Sequence, residues 1–262
     1  MNLRILTTVE ELRQVEDLQA RIWGASDREV IPYHQLLVCA HNGGLVLGAL
    51  DGPHLVGFAY AFPAVREGQL VLYSHLAGVD SAYRRRGLGG AMKLEQAAWA
   101  RTHGYDRIVW TYDPLQAANA HLNLRWLGAV ANRYHPDYYG AIDDDINRGL
   151  PSDRLEVEWL YDRPRPRPDP GWEGAATLLA CREGRPEVDQ EAAGAAVCIE
   201  IPVELPREQI QAWREATAAS FISCFQAGLA AVDFRLVGGI GRYLLVQGAE
   251  NPDPAEAALL RR

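Results

Sequence analysis

The stretch "LVLYSHLAGVDSAYRRRGLGGAMKLEQAAWARTHG", residues 70–104, constrains this chain more than any other. An apolar run with strand character passes through three arginines and three glycines into an apolar-periodic helix that Gly104 closes. Such a strand–turn–helix belongs to a fold that mixes sheet and helix. At the junction, Gly87, Gly89 and Gly90 allow a tight turn in which successive backbone N–H groups point at one anion. The positive end of the helix dipole and the charges of Arg84, Arg85 and Arg86 act at the same place. A phosphate or pyrophosphate fits this turn best. Two familiar phosphate loops are excluded by spacing. A dinucleotide fingerprint needs a third glycine where Met92 stands, and a P-loop needs Gly-Lys-Ser/Thr, whereas Lys93 lies between Met92 and Leu94.

The turn is local, because the whole chain is acidic. Its net charge of −8 excludes a general nucleic-acid-binding surface. Basic charge is nearly all arginine, and Lys93, the only lysine, reads as the codon usage of a GC-rich genome. With 262 residues, 48% of them hydrophobic, a large packed core is within reach. Cys39, Cys181, Cys198 and Cys224 show neither CxxC nor zinc-like histidine spacing. They read as structural thiols of a reducing cytoplasm, and no metal site is expected. The N-terminal stretch has no signal-peptide core and no window is a membrane span, so a soluble cytoplasmic protein is expected.

The pattern predicts a strand at "LRILTT", amphipathic helices at "VEELRQVEDLQARIWG" and "IPYHQLLVCAHNGG", and then three strands, "LVLGALDG", "LVGFAYAFPAV" and "LVLYSHLAGV", close enough for an antiparallel meander. After the glycine-arginine turn come a helix, the strand "RIVWTY", a helix over "LQAANAHLNLRWLG", "AVANRYHPDYYG", and the strand "LEVEWLYD". The alternating prolines of "DRPRPRPDPG" predict a stiff extended linker. The expected organisation is therefore an α+β domain over 1–162, a Pro/Arg linker over 163–171 and a small α+β domain over 172–262. The second has strands at "ATLLACR", "CIEIPV", "AVDFRLV" and "RYLLVQ" and one long helix carrying Trp213, Phe221 and Phe225. Packing of its own core is the simplest role for that helix face; a homodimer contact or a cover over the acceptor pocket are alternatives.

"VDSAYRRRGLGG", residues 79–90, resembles the acyl-CoA-binding segment of the GNAT superfamily of N-acetyltransferases, whose signature is Arg/Gln-x-x-Gly-x-Gly/Ala after an apolar strand. The order of elements over residues 1–162 is also that fold's order, a mixed sheet with helices. The chain is similar to a bacterial branch carrying "WTYDPLQAANAHLNLRWLGA" and "INRGLPSDRLEVEW". The resemblance implies that Arg84, Arg85, Arg86, Gly87, Leu88, Gly89 and Gly90 hold the pyrophosphate of coenzyme A. It also implies that the pantetheine arm pairs with backbone near Leu76, Ala77 and Val79, in a gap between the fourth and fifth strands. Acetyl-CoA is the implied co-substrate, or another acyl-CoA such as succinyl-CoA.

Acyl transfer from a thioester to an amine needs a neutral amine, a polarised carbonyl, and a proton or donor for the departing thiolate. Tyr73 and His75 share one face of the fourth strand by period-two alternation, and His75 is the candidate base. A hydrogen-bonded structural histidine is the alternative. Relatives place a tyrosine as acid four residues before the glycine that ends the fourth helix, where this chain has Leu124. Asn119 and Asn123, four apart on one helical face, are candidates for contact with the pantetheine arm or the sulfur, or alternatively a helix start and a solvated face. Tyr138 or Tyr139 could enter from the following loop. Arg154 could bind the carboxylate of an amino-acid acceptor or of a succinyl group, while Ser152 and Asp153 cap local N–H groups. The activity expected is N-acetyl transfer to a small amine or amino acid, with no nucleic-acid or membrane partner. The rivals are N-succinyl transfer and a non-catalytic acyl-CoA-binding module.

Overall fold

The computed structural model describes residues 1–24, 29–143, 149–162 and 171–248. The chain divides into two compact units, Met1–Trp110 with Gly140–Leu150, and Thr111–Tyr139 with Pro151–Arg262. The Pro/Arg segment 163–170 and two of the three aspartates of "DDDINRG" lie outside the described residues.

In the first unit, β1 (Asn2–Ile5) is followed by α1 (Val9–Trp23) and α2 (Tyr33–His41). A capping box starts α1. Thr8 Oγ1 accepts from the Glu11 N–H at 3.3 Å, and the Glu11 carboxylate accepts from the Thr8 N–H at 3.0 Å. Gly24, left-handed at φ 61°, ends it. Leu12, Val15 and Leu18, spaced for one helical face, join Leu6, Leu36, Val46, Phe58 and Tyr60 in one hydrophobic core. The strands β2 (Leu45–Asp51), β3 (His54–Arg66) and β4 (Gln69–Val79) form the expected antiparallel meander, with β1 paired to β2. The helix α3 (Leu88–Thr102) crosses to β5 (Ile108–Tyr112), which runs parallel to β4. The resulting order is β1-β2-β3-β4-β5.

The second unit differs from the sequence expectation in three places. Over "LQAANAHLNLRWLG", α4 is only Ala117–Ala120 and continues as a π-helical segment, His121–Leu127, that Gly128 closes at φ 75°. A strand that the sequence does not suggest, β9 (Arg185–Val188), forms a hairpin with β8 (Ala176–Arg182) through Glu183 and Gly184, both at positive φ. Its proline sits at the sheet edge, where a missing N–H is tolerated. Finally, the strands after the Pro/Arg segment do not close on themselves. β6 (Val130–His135), β7 (Arg154–Trp159), β10 (Ala196–Pro202), β11 (Leu229–Val237) and β12 (Ile240–Gln247) share one sheet with β8 and β9, in the order β7-β6-β11-β12-β10-β8-β9. About ninety residues alone offer a marginal core, and pairing Ala231 to Ala131 extends it.

Trp213 and Phe221 on α5 (Ile210–Gln226) are fully buried, so they are core residues and not a dimer surface. Phe221 lies 5.1 Å from the Tyr243 ring and 5.8 Å from that of Tyr134. Beside them Arg214 makes two hydrogen bonds to the Asp113 carboxylate, Nη2 to Oδ2 at 2.7 Å and Nη1 to Oδ1. Removing one member of such a buried pair strands the other charge. Arg214→Met is expected to cost about 3 kcal/mol, the low end of the range because Asp113 keeps some solvent contact. Denaturant unfolding measures it, and Asp113→Asn combined with Arg214→Met should recover part of the loss.

Candidate functional site

Two features of β4 make a site. Its pairing with β5 is limited to Leu72↔Ile108 and Tyr73↔Val109, so Ser74–Val79 run on past the last shared pair. On its other edge the register with β3 passes from Ala61↔Ser74 to Tyr60↔Leu76, which makes His75 the extra residue of a β-bulge. The bulge falls one residue after Ser74, where β4 leaves β5.

Tyr73 and His75 do share a face, with ring centroids 6.3 Å apart. Phe62 lies 5.3 Å from Tyr73 and 5.8 Å from His75, and Tyr60 lies 6.0 Å from His75. This half-buried aromatic setting lowers the His75 pKa below 6.5 through desolvation of the imidazolium. A neutral imidazole is the form that accepts a proton. Farther along β4, Leu76 and Val79 are half-buried and Ala77 is exposed. Gly78 is needed for packing, since a Cβ there would meet Trp23 Cη2 at 2.8 Å and Ile22 Cδ1 at 2.9 Å.

Beyond Val79 the chain makes a 3₁₀ turn, Ser81–Tyr83, in which the Asp80 carboxylate accepts from the Ala82 N–H at 3.0 Å. Arg84 Nε donates to the Val79 carbonyl at 3.1 Å, and Arg86 Nη2 donates to the Ala82 carbonyl at 3.0 Å. These two arginines thus brace the turn as well as charging it. Arg85 and Gly87 are left-handed at φ 62° and 78°. Alternation of this kind builds backbone anion nests. Helix α3 then starts with Gly87 at its N-cap and no side-chain capping bond, and its first turn holds no acidic residue. Its first N–H groups therefore have no capping side chain at the point where the arginines gather. Leu88 and Gly90 are buried, and Gly89 is half-buried.

Sequence reasoning missed the polar cluster on the opposite face of β4. Lys93 and Gln96 of α3 are buried. Lys93 Nζ donates to Ser74 Oγ at 2.9 Å and sits 3.7 Å from the centroid of the Trp110 indole; Ser74 Oγ donates to Gln96 Oε1 at 3.1 Å. Burial lowers the Lys93 pKa to about 7. A signal was present, for Lys93, Gln96, Ala97 and Ala100 follow the i, i+3, i+4, i+7 spacing of a core-facing stripe.

The remaining candidates lie in the second unit. Asn119 is exposed and Asn123 buried, one in the α-turn and the other in the π-helical segment. Their side chains are therefore in different environments. Leu124 is buried. Arg154 and Tyr139 are brought together. The Arg154 guanidinium lies 5.2 Å from the Tyr139 ring, and its Nη1 donates to the Asp153 carbonyl at 2.8 Å. Among the described residues, Ser152 and Asp153 bond to an earlier loop and not to local N–H groups. Asp153 accepts from the Asp137 N–H at 3.0 Å and the Tyr134 hydroxyl at 2.6 Å, while Ser152 Oγ accepts from the Tyr139 N–H at 2.8 Å. They pin the loop that carries Tyr138 and Tyr139.

Residues 9–128 match the model of the acetyltransferase (GNAT) family. Among solved structures, a GNAT-family acetyltransferase from Streptococcus pneumoniae is similar at 17% identity over 61% of this chain and 99% of its own, with a TM-score of 0.48. The ribosomal-protein-S18-alanine N-acetyltransferase of Escherichia coli is similar at 16% identity over 63% and 97%, with a TM-score of 0.49. Among curated proteins none matches the sequence.

The Lys93 environment has a thermodynamic consequence. The folded-state pKa is about 7 and the ordinary value 10.5, so between them the unfolded chain holds a proton that the folded chain lacks. The burial penalty is fully present below pH 7 and is relieved as pH rises toward 10.5. Lys93→Met is therefore expected to raise the melting temperature, most at pH 6 and progressively less toward pH 10. Thermal unfolding at several pH values checks this.

Proposed function

We propose that this chain, whose residues 9–128 match the acetyltransferase (GNAT) family model, is a CoA-dependent N-acyltransferase moving an acetyl group from acetyl-CoA to a small amine or amino acid. The observation that carries the reading is the parting of β4 from β5 directly before an uncapped, arginine-rich helix start. A strand edge without a neighbour offers backbone donors and acceptors to an extended arm bearing amides. The turn at Arg84–Gly90 offers cationic and N–H groups to a pyrophosphate.

In this reading the acceptor amine binds on the face of β4 that carries Tyr73 and His75. His75 takes the proton that the amine loses as it attacks the thioester carbonyl. A backbone N–H at Leu76 or Ala77, just past the bulge, polarises that carbonyl. No observation favours a succinyl over an acetyl donor.

Free-thiol release from acetyl-CoA, followed against pooled amines and D- and L-amino acids, tests the proposal. Release that requires both donor and acceptor supports it. Protection of the fold by CoA with no release in any pool would favour a binding module instead. Because burial lowers the His75 pKa, its neutral form persists above pH 6.5 and the acid limb of activity should lie below that value. His75→Ala is expected to lower kcat by about 100-fold and to abolish this acid limb, as read from kcat between pH 5 and 8. Arg85 is exposed, and no described residue hydrogen-bonds its side chain. Arg85→Glu should raise KM for acetyl-CoA about tenfold with kcat unchanged, and the effect should shrink in added salt.

A further inference from the structure

The chain has 26 basic side chains, and one of them is a lysine. A sequence that chooses arginine at every other basic position has kept lysine at a buried site on α3. The two residues are not interchangeable there. A guanidinium keeps its proton at any working pH, whereas an amine in an apolar setting can release it. Composition alone makes this lysine look like a remnant of codon usage, but its surroundings give it a chemical reading.

The location is the second observation. Ser74 is the first residue of β4 after the last pair shared with β5, and Trp110 is the residue of β5 that follows Val109 of that pair. Lys93 Nζ contacts both, at 2.9 Å from Ser74 Oγ and 3.7 Å from the Trp110 ring centroid. The amine thus stands at the vertex where the two strands part. A third observation is that Gln96 Nε2 is buried with no hydrogen-bond partner among the described residues, while its Oε1 accepts from Ser74. Buried donors are nearly always satisfied, and an unsatisfied one beside an opening is a place for an incoming acceptor.

We propose that Lys93, acting through the Ser74 hydroxyl, supplies the proton taken up by the sulfur of the departing coenzyme A. This rests on the acyltransferase reading above, and it fills the role for which Leu124 offers no acidic side chain. When the acceptor nitrogen has bonded to the acyl carbon, the C–S bond breaks and its electron pair stays on sulfur. The Ser74 hydroxyl gives its proton to that sulfur and takes one from the Lys93 ammonium. His75 holds the proton lost by the acceptor amine. Exchange with solvent after product release returns His75 to its neutral form and Lys93 to its charged form, so the balance closes.

Among the described residues Lys93 contacts Ser74 of β4 and Trp110 of β5, and Ser74 bonds in turn to Gln96 of α3, none of them charged. Glu95 and Arg101 on α3 are exposed, as is His54 on β3. Asp51 at the end of β2 accepts from Tyr83, and Arg66 of β3 lies over the Tyr73 ring. Tyr60, Tyr73 and His75 form the aromatic cluster on the other face. Burial alone brings the Lys93 pKa to about 7, which suits a group that must give and regain a proton near neutrality. Lys93 is a positioning and proton-supplying residue acting through Ser74, so its test needs a readout that packing would not move.

That readout is the thiol of CoA itself, titrated in the bound state by the ultraviolet absorbance of the thiolate. In the wild-type protein the bound thiol is expected to ionise at least about one pH unit below free CoA, because a neighbouring proton donor favours the thiolate. In Lys93→Met and in Ser74→Ala the bound thiol should return to the free value, and kcat should fall about 100-fold with loss of the alkaline limb. Lys93→Met should do this while melting at a higher temperature, so the lost activity is not lost folding. If CoA binds all three proteins and its thiol titrates identically in each, the inference is overturned and the acyltransferase reading stands. If neither CoA nor desulfo-CoA protects the wild-type fold against heat, both are overturned.

Discussion

Two residue pairs between β4 and β5 set the terms for the whole site. A parallel pair held for longer would have satisfied the edge of β4 along its length. Here the shared ladder stops at Tyr73, and three features depend on the stop. The bulge at His75 re-aims the strand one residue later, the 3₁₀ turn and arginines follow at the end of β4, and α3 returns beneath the strand with its first turn uncapped. Each is an ordinary element of backbone geometry. Their succession on one strand is what the proposed binding of an extended, anionic ligand rests on.

The two faces of β4 are built on different physics. One is lined by apolar and aromatic contact. Gly78 lets α1 approach so near that any side chain there would strike Trp23 or Ile22, and Phe62, Tyr60 and Tyr73 surround His75 with ring carbon. The other holds Lys93, Ser74 and Gln96 in apolar surroundings, with one buried donor left over. Cores that pack only for stability seldom keep such a group, since each buried polar atom without a partner weakens the fold. Imidazole and amine are both pushed toward their neutral forms by the same cause, removal of water. They stand on opposite sides of one strand, as a proton acceptor and a proton donor in a single displacement would.

Much of the first unit was legible because its signals are local. Thr8 with Glu11 marks the start of a helix, Leu12, Val15 and Leu18 give its buried face, and Gly87 with its neighbours marks the turn. Strand period placed Tyr73 and His75 together for the same reason. What was not legible depends on partners distant in the chain. The bulge is a matter of register against β3, and the parting from β5 is decided by pairing across α3. The π-helical segment places Asn123 in the interior and leaves Asn119 in solvent, which a spacing of four cannot reveal. Ser152 and Asp153 look like local caps, yet they hold a loop that precedes them by more than a dozen residues. The short β9 carries a proline and little apolar pattern, so only its partner β8 defines it. Lys93 stands out in the sequence by its rarity, but rarity says nothing about where a residue is buried.

The burial of Lys93 also changes what the outside of the molecule can react with. Thioesters acylate exposed primary amines without any enzyme, and a protein that works beside an acyl-CoA meets that hazard continuously. Arginine is far less reactive toward acyl donors, and it supplies every other basic side chain here. With its only lysine 7% exposed, this sequence presents no readily accessible lysine amine to solvent. The surface is thereby largely inert toward the reagent that its interior would use.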